Sequence, residues 1–334
     1  MNDALGRPLR DLRISVTDRC NLRCVYCMPK AVFGRDFVFL ERDQLLTFEE
    51  IARVVRVMSA AGAHKVRLTG GEPLLRRDLP ALVSMLSAVP GIGDLAMTTN
   101  GALLTREMAK SLAAAGLRRI TISVDSLDDD VFRRVNDVDF PLARVLAAID
   151  AAKEAGLMPI KIDMVVVRGL NESSIVGVAR HFRETGHIVR FIEYMDVGNT
   201  NGWRMEDVVS GAEMRDAIGR EWPLVPAEPN YFGEVAQRWC YADGAGEIGI
   251  ITSVTQPFCG SCTRARLSAA GELYTCLFAG KGRDLRSLLR NGSTDAEISA
   301  AIGAVWSARD DRYSEIRSAA TAGLKKVEMS HIGG

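Results

Sequence analysis

Six short β-rich runs alternate with helix-length stretches over the first two-thirds of this 334-residue chain, and that alternation restricts the fold more than any other feature. The runs are Leu12–Thr17, Lys65–Thr69, Asp94–Thr98, Arg119–Val124, Pro159–Val166 and Ile188–Glu193. Helices are expected over Phe48–Ala61, Leu79–Ser87, Thr105–Ala115, Pro141–Ala155 and Ser173–Glu184. Asn171 marks the capping region of the last, and Gly156 ends the fourth. Repeated strand-then-helix units predict a parallel sheet with right-handed crossovers. Six units fall short of an eightfold barrel, which leaves an open barrel or a doubly wound sheet.

Side-chain parity separates the two. Residues i and i+2 of a strand share a face. Arg13, Ser15 and Thr17 therefore share one, as do Lys65, Arg67 and Thr69, then Thr121, Ser123 and Asp125, then Lys161 and Asp163. The intervening residues are mostly Ile, Val and Leu. A flat parallel sheet covered on both sides should be apolar on both faces. Polar stripes in four strands predict a partial barrel with a wet, ligand-holding interior. Beyond about residue 195 the alternation stops, and Pro223, Pro226 and Pro229 punctuate an irregular stretch before a helix near Ala296–Ser307.

Cys20, Cys24 and Cys27 sit in the run Asp18-Arg-Cys-Asn-Leu-Arg-Cys-Val-Tyr-Cys-Met-Pro29, spaced C-x3-C-x2-C. Soft thiolates suit iron–sulfur clusters, zinc or copper(I). A cubane 4Fe–4S cluster normally takes four cysteines, so three leave one iron open to an exogenous molecule. A zinc knuckle is the alternative, although zinc usually asks for four ligands in paired C-x2-C form. A second trio, Cys259, Cys262 and Cys276, again leaves an iron open, or holds zinc completed by a histidine such as His331. Cys240 has no close cysteine neighbour and reads as an isolated buried thiol.

Thr69-Gly-Gly-Glu-Pro73 follows a strand directly, where glycines let backbone approach a ligand closely. Thr98 and Ser123 also end strands, where ligands bind in barrels and open α/β sheets, or where a local cap would place them. Arg264 and Arg266 stand two apart between cluster ligands, a spacing that aims two guanidinium groups at a phosphate or nucleobase. The chain ends Met329-Ser-His-Ile-Gly-Gly334. Such an end normally frays, but two glycines can also thread a confined site.

Forty-two basic residues balance forty-two acidic ones. Zero net charge argues against a general nucleic-acid or acidic-membrane binder. No signal-peptide h-region and no membrane-length apolar stretch is present. Seven cysteines in two groups look like metal ligands in a reducing cytoplasm rather than a disulfide framework.

Taken together, these motifs are similar to the GTP 3′,8-cyclase family of molybdenum-cofactor biosynthesis, within the radical S-adenosylmethionine (SAM) superfamily. The similarity runs from about Leu9 to Gly334. Its segments are Leu12-Arg-Ile-Ser-Val-Thr-Asp-Arg-Cys20, Val66-Arg-Leu-Thr-Gly-Gly-Glu-Pro-Leu-Leu-Arg76, Arg190-Phe-Ile-Glu-Tyr-Met-Asp-Val-Gly198, the second cysteine group with Arg-x-Arg, and the Gly-Gly end. Asp163 departs from the family, where Asn is frequent. The resemblance implies an α/β fold, an incomplete (β/α)6 TIM-type barrel over residues 1–220, with a C-terminal auxiliary-cluster and substrate region over 221–334. It implies two 4Fe–4S clusters, on Cys20, Cys24 and Cys27 and on Cys259, Cys262 and Cys276.

In the family the first cluster cleaves SAM to methionine and a 5′-deoxyadenosyl radical, which takes the 3′ hydrogen of GTP. The ribose radical attacks C8 of the guanine, and reduction gives 3′,8-cyclo-7,8-dihydroguanosine triphosphate. The second cluster anchors the purine. By resemblance, Tyr26, Gly71, Glu72, Ser123 and Met195 contact SAM, although Met195 also suits a core position. Arg13, Arg67, Thr98, Lys161, Arg190, Arg264 and Arg266 contact GTP, and Arg264, Arg266, Gly333 and Gly334 serve catalysis. Expected partners are an external one-electron reductant and a downstream cyclic pyranopterin monophosphate synthase, for a monomer or homodimer. A peptide-modifying radical SAM enzyme would carry more C-terminal cysteines. A plain electron carrier would not need Gly-Gly-Glu-Pro or the cationic stripes.

Overall fold

The computed structural model of the chain describes residues 1–318, 321 and 323–334. Its first part is a run of six parallel strands: β1 (Asp11–Ser15), β2 (Lys65–Thr69), β3 (Asp94–Thr99), β4 (Arg119–Ser123), β5 (Lys161–Val166) and β6 (Ile188–Glu193). Between them lie α1 (Phe48–Ala60), α2 (Leu79–Ser87), α3 (Arg106–Ala114), α4 (Asp129–Asn136) and α5 (Leu142–Glu154), and α6 (Ile175–Phe182) precedes β6. All but α4 answer to the sequence pattern.

Local chemistry sets these boundaries. Thr47 and Glu50 form a reciprocal capping box at the start of α1, which then buries Ile51, Val54, Val55 and Met58 at helical spacing. Gly156, at φ 77°, ends α5 as expected. Asn171 does something other than cap α6. Its side chain is fully buried, donating to the carbonyls of Asp125 and Val165 at 2.9 Å and accepting from the Val167 amide at 2.8 Å. Backbone groups where β4 and β5 leave the ladder need partners, and a buried amide supplies both donor and acceptor.

Strands continue past residue 220 in the same sheet. These are β7 (Leu224–Ala227), β8 (Gln237–Tyr241), β9 (Glu247–Ile251), β10 (Arg264–Leu267), β11 (Glu272–Tyr274) and β12 (Arg283–Asp284). The sheet order is β12-β11-β10-β1-β2-β3-β4-β5-β6-β9-β8-β7. β10 lies parallel to β1 and β9 parallel to β6, so the C-terminal half covers both edges of the six-stranded core. The proline-rich stretch is therefore partly strand. Pro226 sits on the outermost strand, where a missing N–H removes no necessary ladder bond. Helices α7 (Gly211–Gly219), α8 (Arg286–Arg290) and α9 (Asp295–Ser307) complete the outer layer.

Apolar strand residues such as Leu12, Ile14, Val66, Leu68, Ile162 and Phe191 are buried in one continuous core with the helices. The alternate positions point inward.

Candidate active site

The inward positions meet round one cavity, lined by Arg13, Arg67, Thr98, Ser123, Asp163 and Arg190, one from each of the six strands. A sheet whose every strand contributes to one cavity is curled into a partial barrel.

The loop leaving β1 brings Cys20, Cys24 and Cys27 to this cavity, none of them in a disulfide. Leu22 and Met28 anchor the loop in the core, and the amides of Cys27 and Met28 both donate to the Cys24 carbonyl at 2.9 Å. Neutral amides lie beside the thiols: Asn100 Nδ2 is 3.7 Å from Cys20 Sγ, and Cys24 Sγ is 3.0 Å from Asn136 Oδ1. Burial pushes the Cys20 thiol up to about 11 and the Cys27 thiol up to about 12, and raises Cys24 well above its ordinary value. Left to themselves such thiols stay protonated; the charge of an iron cluster would convert them to thiolate ligands. Three soft donors in one loop, with no acidic side chain bonded to them, fit a cluster with one open iron. Among the described residues no three Cys, His, Asp or Glu side chains close on the position of a single metal ion.

Gly70 and Gly71 serve a closer purpose than ligand approach. A Cβ on Gly71 would fall 2.5 Å from the Arg19 carbonyl carbon, against the cysteine loop itself. The Gly71 amide donates to Thr17 O and the Glu72 amide to Arg19 O, both at 2.8 Å. Gly-Gly-Glu-Pro is thus stitched to the cysteine loop. The Glu72 carboxylate accepts from Thr99 Oγ1 at 2.7 Å, Asn100 N at 2.8 Å and Leu74 N at 3.0 Å. Burial pushes it up to about 7 against the pull of those bonds. Most of its hydrogen-bonding capacity is spent on orienting the loops. The Tyr26 hydroxyl is likewise engaged, donating to Asp125 at 2.8 Å. Ser123 and Met195 line the cavity, Met195 packing beside Val197, Phe278 and Tyr313.

Cations dominate the opposite side of the chemistry. Arg67 donates to Thr98 and Thr121 hydroxyls at 2.9 and 3.0 Å, and Arg190 is paired with Asp163 through two bonds of 2.6 and 2.7 Å. Among the described residues Arg13, Arg67, Lys161, Arg264 and Arg266 have no carboxylate partner. Burial, reinforced by the neighbouring guanidinium groups, brings Arg13 and Arg67 down to about 9 and Arg266 to about 10. Lys161 is set apart from the main cavity. As the first residue of β5 it lies in an adjoining pocket with Lys65, Arg67, Arg190 and Tyr231, at the amino ends of the strands. Lys65 is the residue the sequence left without a role here; strand parity with Arg67 was its signal.

Cys259, Cys262 and Cys276 line the same main cavity. Burial alone raises the Cys262 thiol, but Arg264 and Arg309 more than offset it and bring it to about 7. Burial holds Cys276 up at about 12. His331 lies instead against Glu272, 3.0 Å away. Cys240 is half-buried on β8 rather than buried in the core. The tail enters the cavity: Gly334 lines it, and Arg266 donates to the Gly333 carbonyl. It is held there upstream, where Lys326 Nζ pairs with Asp196 at 2.8 Å and Glu328 accepts from Asn199 N and Thr200 Oγ1 at 3.0 and 2.9 Å. Asn100 and Asn136 are site residues the sequence did not single out; α4, which carries Asn136, announces itself only through its Asp128 cap and the Phe132–Val135 pair.

A curled parallel sheet with C-x3-C-x2-C after its first strand and Gly-Gly-Glu-Pro after its second defines the radical SAM class. Comparison agrees: the Radical SAM superfamily matches residues 14–182, and the family described as Molybdenum Cofactor Synthesis C matches residues 187–315. A GTP 3′,8-cyclase of Acidothermus cellulolyticus is 55% identical, aligned over 100% of this chain and 99% of its own. Those of Xanthomonas axonopodis pv. citri and Staphylococcus aureus are 52% and 47% identical, each over 100% of this chain and 99% of theirs. The chain belongs to the GTP 3′,8-cyclase family. SuiB of Streptococcus suis, solved bound to S-adenosylmethionine, has 17% identity and a TM-score of 0.61, covering 93% of this chain and 68% of that one, a likeness of fold alone.

Proposed function

We propose that this chain converts GTP to 3′,8-cyclo-7,8-dihydroguanosine 5′-triphosphate, the first step of molybdenum-cofactor biosynthesis, with SAM and two 4Fe–4S clusters. The observation that carries this reading is the uncompensated cation set: Arg13, Arg67, Arg264 and Arg266 line the cavity that both cysteine trios line, and Lys161 lines the adjoining pocket shared with Arg13, Arg67 and Arg264. Five buried or half-buried cations without carboxylates call for a polyanion, and a triphosphate is one. Residues 1–220 then form the radical-generating barrel and 221–334 the part that seats the purine.

When bound, the cluster on Cys20, Cys24 and Cys27 supplies the electron that cleaves SAM. The protein's own contribution is placement. Glu72 fixes the turn after β2 against the cysteine loop, Tyr26 and Asp125 brace its other side, and Ser123 and Met195 offer contacts for SAM. Arg13, Arg67 and Lys161 hold phosphate oxygens toward the amino ends of the strands, with Thr98 oriented by Arg67. Arg264 and Arg266 stand beside the second trio, and Gly333 and Gly334 close the reacting end against water. Seven free cysteines suit a reducing compartment, the cytoplasm, and no described helix is long and apolar enough to cross a membrane.

The test is anaerobic incubation of reconstituted protein with dithionite, SAM and GTP. Expected are an isomer of GTP, separated by chromatography at unchanged mass, and one 5′-deoxyadenosine and one methionine per turnover. SAM cleavage without loss of GTP would overturn the proposal.

A further inference from the structure

The N-terminal turn, outside the barrel, is tied directly and through Arg309 to both segments that bear the second cysteine trio. Arg7 is 1% exposed, and its Nη1 donates to the carbonyl of Cys259 at 2.9 Å and that of Asp311 at 2.8 Å. Arg309, stacked on Trp306, donates through Nη1 to the carbonyl of Cys262 at 2.8 Å and through Nε to that of Thr275, next to Cys276, at 3.1 Å. Asp3 joins the two guanidinium groups, accepting from Arg7 Nε at 2.6 Å and from Arg309 Nη1 at 3.0 Å, with its side chain fully buried. Its other oxygen takes the amides of Leu5 and Arg7, closing the turn.

We infer that Asp3, Arg7 and Arg309 are positioning residues for the second cluster, bridging the backbones of its two ligand segments, the turn of Cys259 and Cys262 and the stretch that carries Cys276. Cys259 and Cys262 share one short turn, but Cys276 arrives from beyond a strand pair, so cluster geometry depends on something that spans both. A planar guanidinium, with several fixed donors, can bridge separate carbonyls; an ammonium cannot hold the same fork. Among the described residues the first trio has no arginine bridging it to another segment in this way: Arg23 there bonds the carbonyls of Cys20, Leu22 and Phe33 within its own loop. Asp3 and Arg7 are not cluster ligands and lie far from them in sequence, which makes the link testable without touching a ligand.

The inference rests on the second cluster proposed above, and wild-type protein that reconstitutes with about four irons would remove that premise before any variant is compared. Given about eight irons, Arg309→Gln, Arg309→Lys and Arg7→Gln are made in the full chain. Iron release under a chelator is followed with the electron paramagnetic resonance of each reduced cluster. Expected is a loss of second-cluster iron roughly 10–100-fold faster than in wild type, the range seen when groups behind metal ligands are removed. The first cluster should keep its SAM-induced spectral shift and its reductive SAM cleavage. Arg309→Lys should behave like Arg309→Gln, because charge alone does not bridge. Equal loss of both clusters would show general unfolding, and equal retention would show an idle pair; either result overturns the inference.

Discussion

Gly333→Ala should cripple cyclisation while Gly334→Ala is tolerated. Gly333 has φ 70° and ψ 142°, backbone space that L-residues enter at a cost of about 1–3 kcal/mol. Space compounds this. A methyl there would land on Thr69 Oγ1 and 2.9 Å from Thr69 Cβ. Thr69 ends β2, is 3% exposed and has its hydroxyl bonded to the Ile14 carbonyl, so it has little room to yield. The tail must move instead, giving up the bond from Arg266 to the Gly333 carbonyl. Backbone strain alone lowers the seated fraction roughly 5–150-fold if the tail's seat is marginal. A methyl on Gly334 meets Met329 Sδ at 3.2 Å, the end of a flexible thioether that can turn aside. The assay is product formation at saturating GTP and SAM, with GTP affinity and reductive SAM cleavage measured separately. Both of the latter should stay near wild type in Gly333→Ala. Wild-type turnover in that variant, or equal damage from Gly334→Ala, would refute the argument that a confined backbone at 333 is what matters.

Reconstituted protein should hold about eight irons; Cys24→Ala should abolish SAM cleavage, whereas Cys262→Ala should keep it and lose cyclisation, and iron analysis finding one cluster plus one zinc would count against both. Burial, aided by Arg190, Arg119 and Arg67, brings Lys161 down to about 7. It is charged below that pH and must recruit a proton to meet a phosphate above it, so GTP affinity should fall as pH rises from about 7. Calorimetry on Lys161→Met should show that part of the slope flattened. Asp163→Asn releases Arg190 from a two-bond ion pair, and should tighten GTP by roughly tenfold, about 1.4 kcal/mol, if the freed guanidinium gains one charge-assisted bond; guanosine affinity should not follow.

The barrel was legible because its strands alternate by parity: Leu12 and Ile14 go to the helices while Arg13 goes inward, and Val66 and Leu68 flank Arg67 in the same way. The first cysteine trio was legible because its donors fall within one short loop, and the second because Cys259 and Cys262 do, with Cys276 a strand pair further on. The C-terminal strands were not, since β7 carries a proline and β11 and β12 are too short for any period to show. Partnerships set by register were also hidden. Asp163 meets Arg190 because β5 and β6 pair at those two residues, and no local pattern in either strand announces it. Gly71 illustrates a third limit. Its need for a bare backbone was visible, but the neighbour demanding it is Arg19, 52 residues earlier in sequence and brought close only by the fold.

The way the sheet is sealed has a consequence for synthesis. β1 and β6 acquire their outer neighbours, β10 and β9, only from the last third of the chain. For β1 the wait is roughly 250 residues, or about 13–50 s at ordinary translation rates. During that interval the emerging barrel carries two bare strand edges, each a template for pairing with another nascent chain. The thiols of the first trio leave the ribosome long before those of the second. A chain cut near residue 220 is therefore no minimal barrel but one with both seams open, and it should leave the cell as aggregate.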